Sequence, residues 1–133
     1  MNDYLKPGLD RELRIISNLG LAHVGDAVFE LMVRTWLCMK GTSTAKQLHG
    51  SAVEYVSAKA QAAALKRILP TLTENEHDVF KRGRNAYVNS VPRSSTYEEY
   101  HIATGLEALF GFLYLKGETD RLNELFAYVI NDE

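Results

Sequence analysis

A single cysteine, Cys38, excludes an internal disulfide and a zinc site built from several cysteines. It is expected to behave as a small buried hydrophobe. No apolar run reaches the ~18 residues that a membrane-spanning helix needs. Met1 to Asp10 contain no apolar stretch of the signal-peptide kind, so a cytoplasmic protein is the expectation. Nowhere does the chain alternate apolar and polar residues as a half-buried strand would. Internal repeats, low-complexity segments and a linker are also missing. What remains is a chain of 133 residues, 46% apolar, which has the size of one domain and the material for a core. Residues 1–133 are expected to form that single domain, which at this size buries roughly two-thirds of the surface its unfolded chain exposes.

The net charge is only −2, which by itself argues against a polyanionic partner. Its distribution points the other way. Between Arg34 and Arg93 there are ten basic residues and four acidic ones, a local charge of +6 that leaves −8 for the remainder. Such asymmetry suggests a basic face for a polyanion, with acidic groups elsewhere for metal or for solubility. Scatter over a solvated surface is the alternative.

The patterning is helical nearly everywhere. Leu21, Val24, Val28 and Leu31 recur at near-helical spacing between Leu19 and Lys40, and Gly41 supplies a stop. Four pairs have the spacing of a capping box: Thr44 with Gln47, Ser51 with Glu54, Thr73 with Glu76 and Thr96 with Glu99. They predict a short helix ending near Gly50, an Ala- and Lys-rich helix from Ser51 to about Leu69 stopped by Pro70, a helix through Val79, Phe80 and Tyr87, and a helix to about Lys116. A last helix follows Thr119. The fold class predicted is all-α, a single helical bundle.

Two carboxylates sit oddly in this pattern. Asp26 lies within Leu21-Ala22-His23-Val24-Gly25-Asp26-Ala27-Val28-Phe29-Glu30, although Asp is a poor helix-interior residue. Glu107 has Ala103, Thr104, Phe110 and Gly111 as its helical neighbours, and three of those are small enough to leave access to the carboxylate. Each acid needs a partner if it is buried. One solution is a divalent cation between the two helices, since Mg²⁺ takes oxygen ligands and is often held by one or two carboxylates plus substrate phosphate. The other is an ion pair with Arg or Lys elsewhere in the bundle. Glu30 is expected to pair with Arg34, four residues on. His23, three residues before Asp26, is placed in the core or beside that carboxylate rather than on a metal, because histidine is not a favoured Mg²⁺ ligand. Trp36, Phe29, Phe110, Phe112 and Tyr114 are assigned to the core or to a dimer interface.

The segment Gly25-Asp26-Ala27-Val28 resembles the signature helix of the ribonuclease III family. Leu106-Glu107-Ala108-Leu109-Phe110-Gly111, followed by Tyr114-Leu115, resembles that family's second acidic helix. Between them, Lys81-Arg82-Gly83-Arg84-Asn85-Ala86 looks like the Arg-Gly-x-Asn segment of the Mini-ribonuclease III branch, which has the catalytic domain without a double-stranded RNA-binding domain. The resemblance covers roughly Leu19 to Gly117. It implies a homodimer with two active sites in one valley, each cutting one strand of an RNA duplex with Mg²⁺, for which Mn²⁺ can substitute. It also implies large-subunit ribosomal RNA precursor as substrate, with a ribosomal protein as a further candidate partner. The position four before Asp26 is Ala22, and the position three before Glu107 is Thr104, where ribonuclease III has acids. Only Asp26 and Glu107 therefore carry over as catalytic metal ligands, with His23, Glu30 and Thr104 in their surroundings. One firmly held ion per site is the expectation.

Lys81, Arg82, Arg84 and Asn85 are the leading candidates to grip duplex RNA, which is recognised largely by shape. Gly83 among them suggests close approach of an RNA backbone or another helix. Arg93, Ser94 and Ser95, in the polar stretch from Asn89 to Thr96, are also assigned to RNA. Lys59 and Lys66 share a helix face and read as solvated. Three rivals compete: a His-Asp phosphohydrolase using His77 and Asp78 with His49 and Asp120, a non-catalytic RNA-binding or ribosome-assembly module of the same fold, and a DNA-binding helical protein.

Overall fold

The structure is a computed structural model, and it describes residues 1–41, 44–86 and 96–130. Among the described residues six helices carry the fold: α1 Asn18–Met39, α2 Ala45–Val56, α3 Ala58–Ile68, α4 Glu74–Arg84, α5 Tyr97–Lys116 and α6 Thr119–Val129. Short 3-10 helices at Arg11–Ile15 and Leu69–Thr71 precede α1 and follow α3. The described residues contain no strand, as the absence of alternation predicts.

Helix starts are set by side-chain caps. Ser17 accepts from the Gly20 amide to open α1. Complete capping boxes form at Thr44 with Gln47, Thr73 with Glu76 and Thr96 with Glu99, each tying down two otherwise orphaned amides. The fourth expected box does not form. Ser51 lies inside α2, which runs through Gly50 to Val56; the break falls at Ser57, whose hydroxyl caps α3 by accepting from the Ala60 amide. At the other end, α4 stops at Arg84 rather than reaching Tyr87, a residue outside those described. Gly41 takes a positive φ of 101° just past α1, the backbone that makes glycine a helix stop.

α5 is the axis of the bundle. Ala103, Leu106, Ala108, Leu109, Phe110 and Leu113 are all buried, and they point in every direction around the helix. A helix apolar on all sides must be surrounded, and α1, α3, α4 and α6 surround this one. Phe29 of α1 packs against Phe110 at 5.3 Å and against Phe126 of α6 at 6.4 Å. Arg121 of α6 ties the far side together. It donates to Glu76 from Nε and Nη2, each at 2.8 Å, and to the Thr71 carbonyl, and it holds the Glu76 carboxyl below its usual pKa.

Trp36, Phe112 and Tyr114 are partly buried around this core, while Phe29 and Phe110 lie within it. Cys38 is exposed, contrary to the expectation of a buried hydrophobe. It follows Leu37, which is buried, and the next helical position turns outward. Among the described residues no helix is long and apolar enough to cross a membrane.

Candidate active site

α1 and α5 cross with their backbones in contact. A Cβ at Gly25 would lie 1.6 Å from the Glu107 carbonyl oxygen, and one at Gly111 would lie 2.0 Å from the Leu21 carbonyl oxygen. Only hydrogen fits at either position. Asp26 follows Gly25 directly, so the crossing that these glycines permit also brings Asp26 beside Glu107.

Asp26 is exposed and Glu107 is partly buried. Burial pushes the Glu107 carboxyl up to about 8; the Gln61 amide opposes the rise and the Asp26 carboxyl adds to it. The two acids therefore lie side by side, and no described basic residue forms an ion pair with either. Among the described residues the ion pairs join Arg34 to Glu30, and Arg121 to Glu76 and Glu124. The alternative in which Arg or Lys neutralises Asp26 and Glu107 is thereby excluded for the described residues.

Two adjacent carboxyl groups, with that of Glu107 pushed up, are a charge arrangement that a divalent cation would relieve. The donors are hard oxygens, and no group of three or more His, Cys, Asp or Glu residues converges among the described residues. Mg²⁺ suits so sparse a set, because it keeps several waters and accepts substrate oxygens. Gln61 adds a buried amide oxygen, Oε1, that has no hydrogen-bond partner. The residues present thus fit such an ion.

The surrounding residues divide. Glu30 pairs with Arg34 at 3.2 Å, as its spacing predicts. His23 is exposed, and no hydrogen bond or ion pair links it to Asp26 among the described residues. Thr104 is buried and donates to the Tyr100 carbonyl of its own helix at 2.9 Å. Gln61, 2% exposed on α3, carries no signal in the sequence that marks it for the site; its amide nitrogen donates to Glu107 Oε2 at 3.2 Å.

The basic candidates gather at the end of α4. Lys81 and Arg82 are exposed. Arg84 lies over the Phe80 ring and donates to Asn85 Oδ1 at 3.2 Å, while Asn85 is the C-cap residue of α4. Gly83 is buried, with Ala108 Cβ 2.6 Å from where its own Cβ would be, so helix packing on α5 accounts for it. Lys59 and Lys66, read from spacing as merely solvated, line a cleft of about 1290 Å³ together with Arg84 and Asn85. Arg93, Ser94 and Ser95 lie outside the described residues. His77 packs toward Phe80, and His49, Asp78 and Asp120 are exposed, so no phosphohydrolase metal cluster forms among the described residues.

Residues 19–118 match the family model for the Ribonuclease III domain. The chain belongs to the ribonuclease III family. That membership makes it an endoribonuclease acting on RNA. It is 48% identical over 107 residues to the Mini-ribonuclease 3 of Symbiobacterium thermophilum, covering 80% of this chain and 82% of the relative. The Mini-ribonuclease 3 of Thermoanaerobacter sp. is 44% identical over 110 residues, covering 83% of this chain and 78% of the relative. A crystal structure of a protein from Fusobacterium nucleatum superposes with a TM-score of 0.82 at 33% identity, covering 91% of this chain and 98% of that one. Within this ribonuclease III fold, the two acidic helices are the pair that cross at Gly25 and Gly111.

Proposed function

We propose that this chain is a Mg²⁺-dependent endoribonuclease that cuts double-stranded RNA, with the cation held by Asp26 and Glu107, and that it matures large-subunit ribosomal RNA precursor. The observation that carries the reading is the pair of neighbouring carboxyl groups that make no ion pair among the described residues, set at a crossing where the two helix backbones touch. A divalent cation bound there supplies Lewis-acid activation of the scissile phosphate and of the attacking water. Asp26, on the exposed side, is open to substrate; Glu107, from the more buried side, anchors the ion. Lys81 and Arg82, with Arg84 and the cleft lysines Lys59 and Lys66, offer positive charge to the phosphates of the duplex. Arg93, Ser94 and Ser95 extend the proposed RNA contact.

A homodimer belongs to the same proposal. α1 fills the core with one face yet leaves Leu31 58% and Met39 81% exposed, and Val53 of α2 is 49% exposed. Leu31, on the side of α1 turned away from the core, fits burial against another copy of the chain. The two sites of such a dimer would each cut one strand.

The test is incubation of a long RNA duplex with the protein and Mg²⁺ at low salt, beside Asp26→Asn and Glu107→Gln. Discrete cleavage of both strands by the parent chain, lost in both folded variants, is expected. Duplex binding without cleavage by the parent chain would favour the non-catalytic RNA-binding module instead.

A further inference from the structure

Gln61 is among the least accessible side chains of the molecule, in the company of Phe29, Phe80, Phe110 and Ile68. Its neighbours on the inner face of α3 are Ala62, Ala64, Leu65 and Ile68, all apolar. An apolar residue would fill the same place without the cost of desolvating an amide, so the amide calls for an explanation.

Its hydrogen bonds give one. Nε2 donates to the Val56 carbonyl at 3.0 Å and to Glu107 Oε2 at 3.2 Å. The Val56 carbonyl can only accept, which fixes the orientation of the amide: exchanging its nitrogen and oxygen would set oxygen against oxygen there. Val56 is the last residue of α2, where carbonyls have lost their helical donors. Gln61 thus spans the break at Ser57 and hangs Glu107 from the end of α2. The donor is neutral. A lysine or arginine in its place would hold the carboxylate equally well but would cancel the charge that a cation needs. Gln61 Oε1 remains buried and without a partner.

We infer that Gln61 is a positioning residue of the active site: it grips Oε2 of Glu107 so that the carboxyl presents its other oxygen toward Asp26 and a shared divalent cation. This rests on the reading of Asp26 and Glu107 as the metal site.

The test is calorimetric titration of the folded protein with Mn²⁺, read beside its metal-free melting temperature. Gln61→Leu removes both hydrogen bonds at similar volume, and Gln61→Met, unbranched like glutamine, serves the same purpose if the leucine variant does not fold. Leu65→Ala, on the same buried face, controls for loss of packing alone. The expected result is an Mn²⁺ affinity about 10-fold or more weaker in the Gln61 variant, with Leu65→Ala close to the parent chain even where it melts lower. Mn²⁺ affinity within about twofold of the parent chain in the Gln61 variant, or equal weakening in Leu65→Ala, would overturn the inference. Asp26→Asn separates the two levels. If it abolishes Mn²⁺ binding while Gln61→Leu does not, the role of Gln61 fails alone; if Asp26→Asn binds Mn²⁺ normally, the metal site itself fails and the inference with it.

Discussion

Gly25→Ala is the smallest change that should damage both the fold and the site. The added Cβ would sit 1.6 Å from the Glu107 carbonyl oxygen and 2.8 Å from the Gly111 amide nitrogen. An ordinary carbon–oxygen contact is about 3.3 Å, so α1 and α5 must separate by roughly 1.5 Å, and the opposing atoms are backbone that cannot rotate aside. That separation loosens Leu21, Val28, Phe29 and Val33 against Leu106, Leu109 and Phe110, all of them buried. Overpacking a core costs about 1–3 kcal/mol and occasionally more. Backbone on both sides puts this case at the top of that range, about 3 kcal/mol, or a fall of roughly 10 °C in Tm for a chain of this length. The same displacement moves Asp26 from Glu107, and an ångström of misplacement at an active site can cost on the order of 100-fold. Thermal melting and Mn²⁺ titration check both effects. Gly50→Ala is the control, because Gly50 lies inside α2 with nothing within 4 Å of its would-be Cβ. That variant should gain about 0.5–1 kcal/mol from the better helix former. A Gly25→Ala protein melting within about 2 °C of the parent chain, with unchanged Mn²⁺ affinity, would show that the α1–α5 crossing does not depend on Gly25.

The raised pKa of Glu107, about 8 against an ordinary 4.5, makes stability and metal binding depend on pH in opposite senses. The folded metal-free protein holds this proton more tightly than the unfolded chain, so the contribution is fully present below about 4.5 and is lost as pH rises through about 8. A cation must displace that proton, so Mn²⁺ affinity should rise with pH and level off above about 8. Denaturant midpoints measured across this window should flatten in Glu107→Gln. Replacing Lys81, Arg82 and Arg84 together by alanine should weaken duplex RNA binding at low salt and make the log–log salt slope shallower by about 1 for each phosphate that is no longer neutralised. Filter binding at several salt concentrations reads it, and an unchanged slope would remove these residues from the interface.

Much of the bundle could be read from the chain because helix starts leave a local chemical mark. Thr44, Thr73 and Thr96 each carry their partner three residues on, and each pair folds into a box. Ser51 with Glu54 has the same spacing inside a continuous helix, where backbone partners already satisfy the amides. The true break at Ser57 has no acid or glutamine at the third position, only Ala60, so half of the mark is missing. Gly50 looks like a stop but keeps a helical backbone in the interior of α2. Asp26 and Glu107 stood out as residues out of place. Their juxtaposition was expected through a cation shared by the two helices and through the family resemblance; its physical cause, two distant glycines, Gly25 and Gly111, that let two backbones touch, was not legible. Gln61 was invisible for a related reason: a glutamine among alanines reads as a helix surface, and only the packing of α3 on α5 buries it. Lys59 and Lys66 likewise acquire meaning only when α3 comes to lie along the same cleft as Arg84.

In the proposed enzyme Asp26 and Glu107 jointly hold one catalytic cation. Mn²⁺ titration of the parent chain, of Asp26→Asn and of Glu107→Gln, followed by the electron paramagnetic resonance of free Mn²⁺, tests it directly. One tightly held ion per chain is expected, lost in either variant, with both variants still folded. Two tight ions in the parent chain, or a tight ion that survives the loss of either carboxylate, would contradict it.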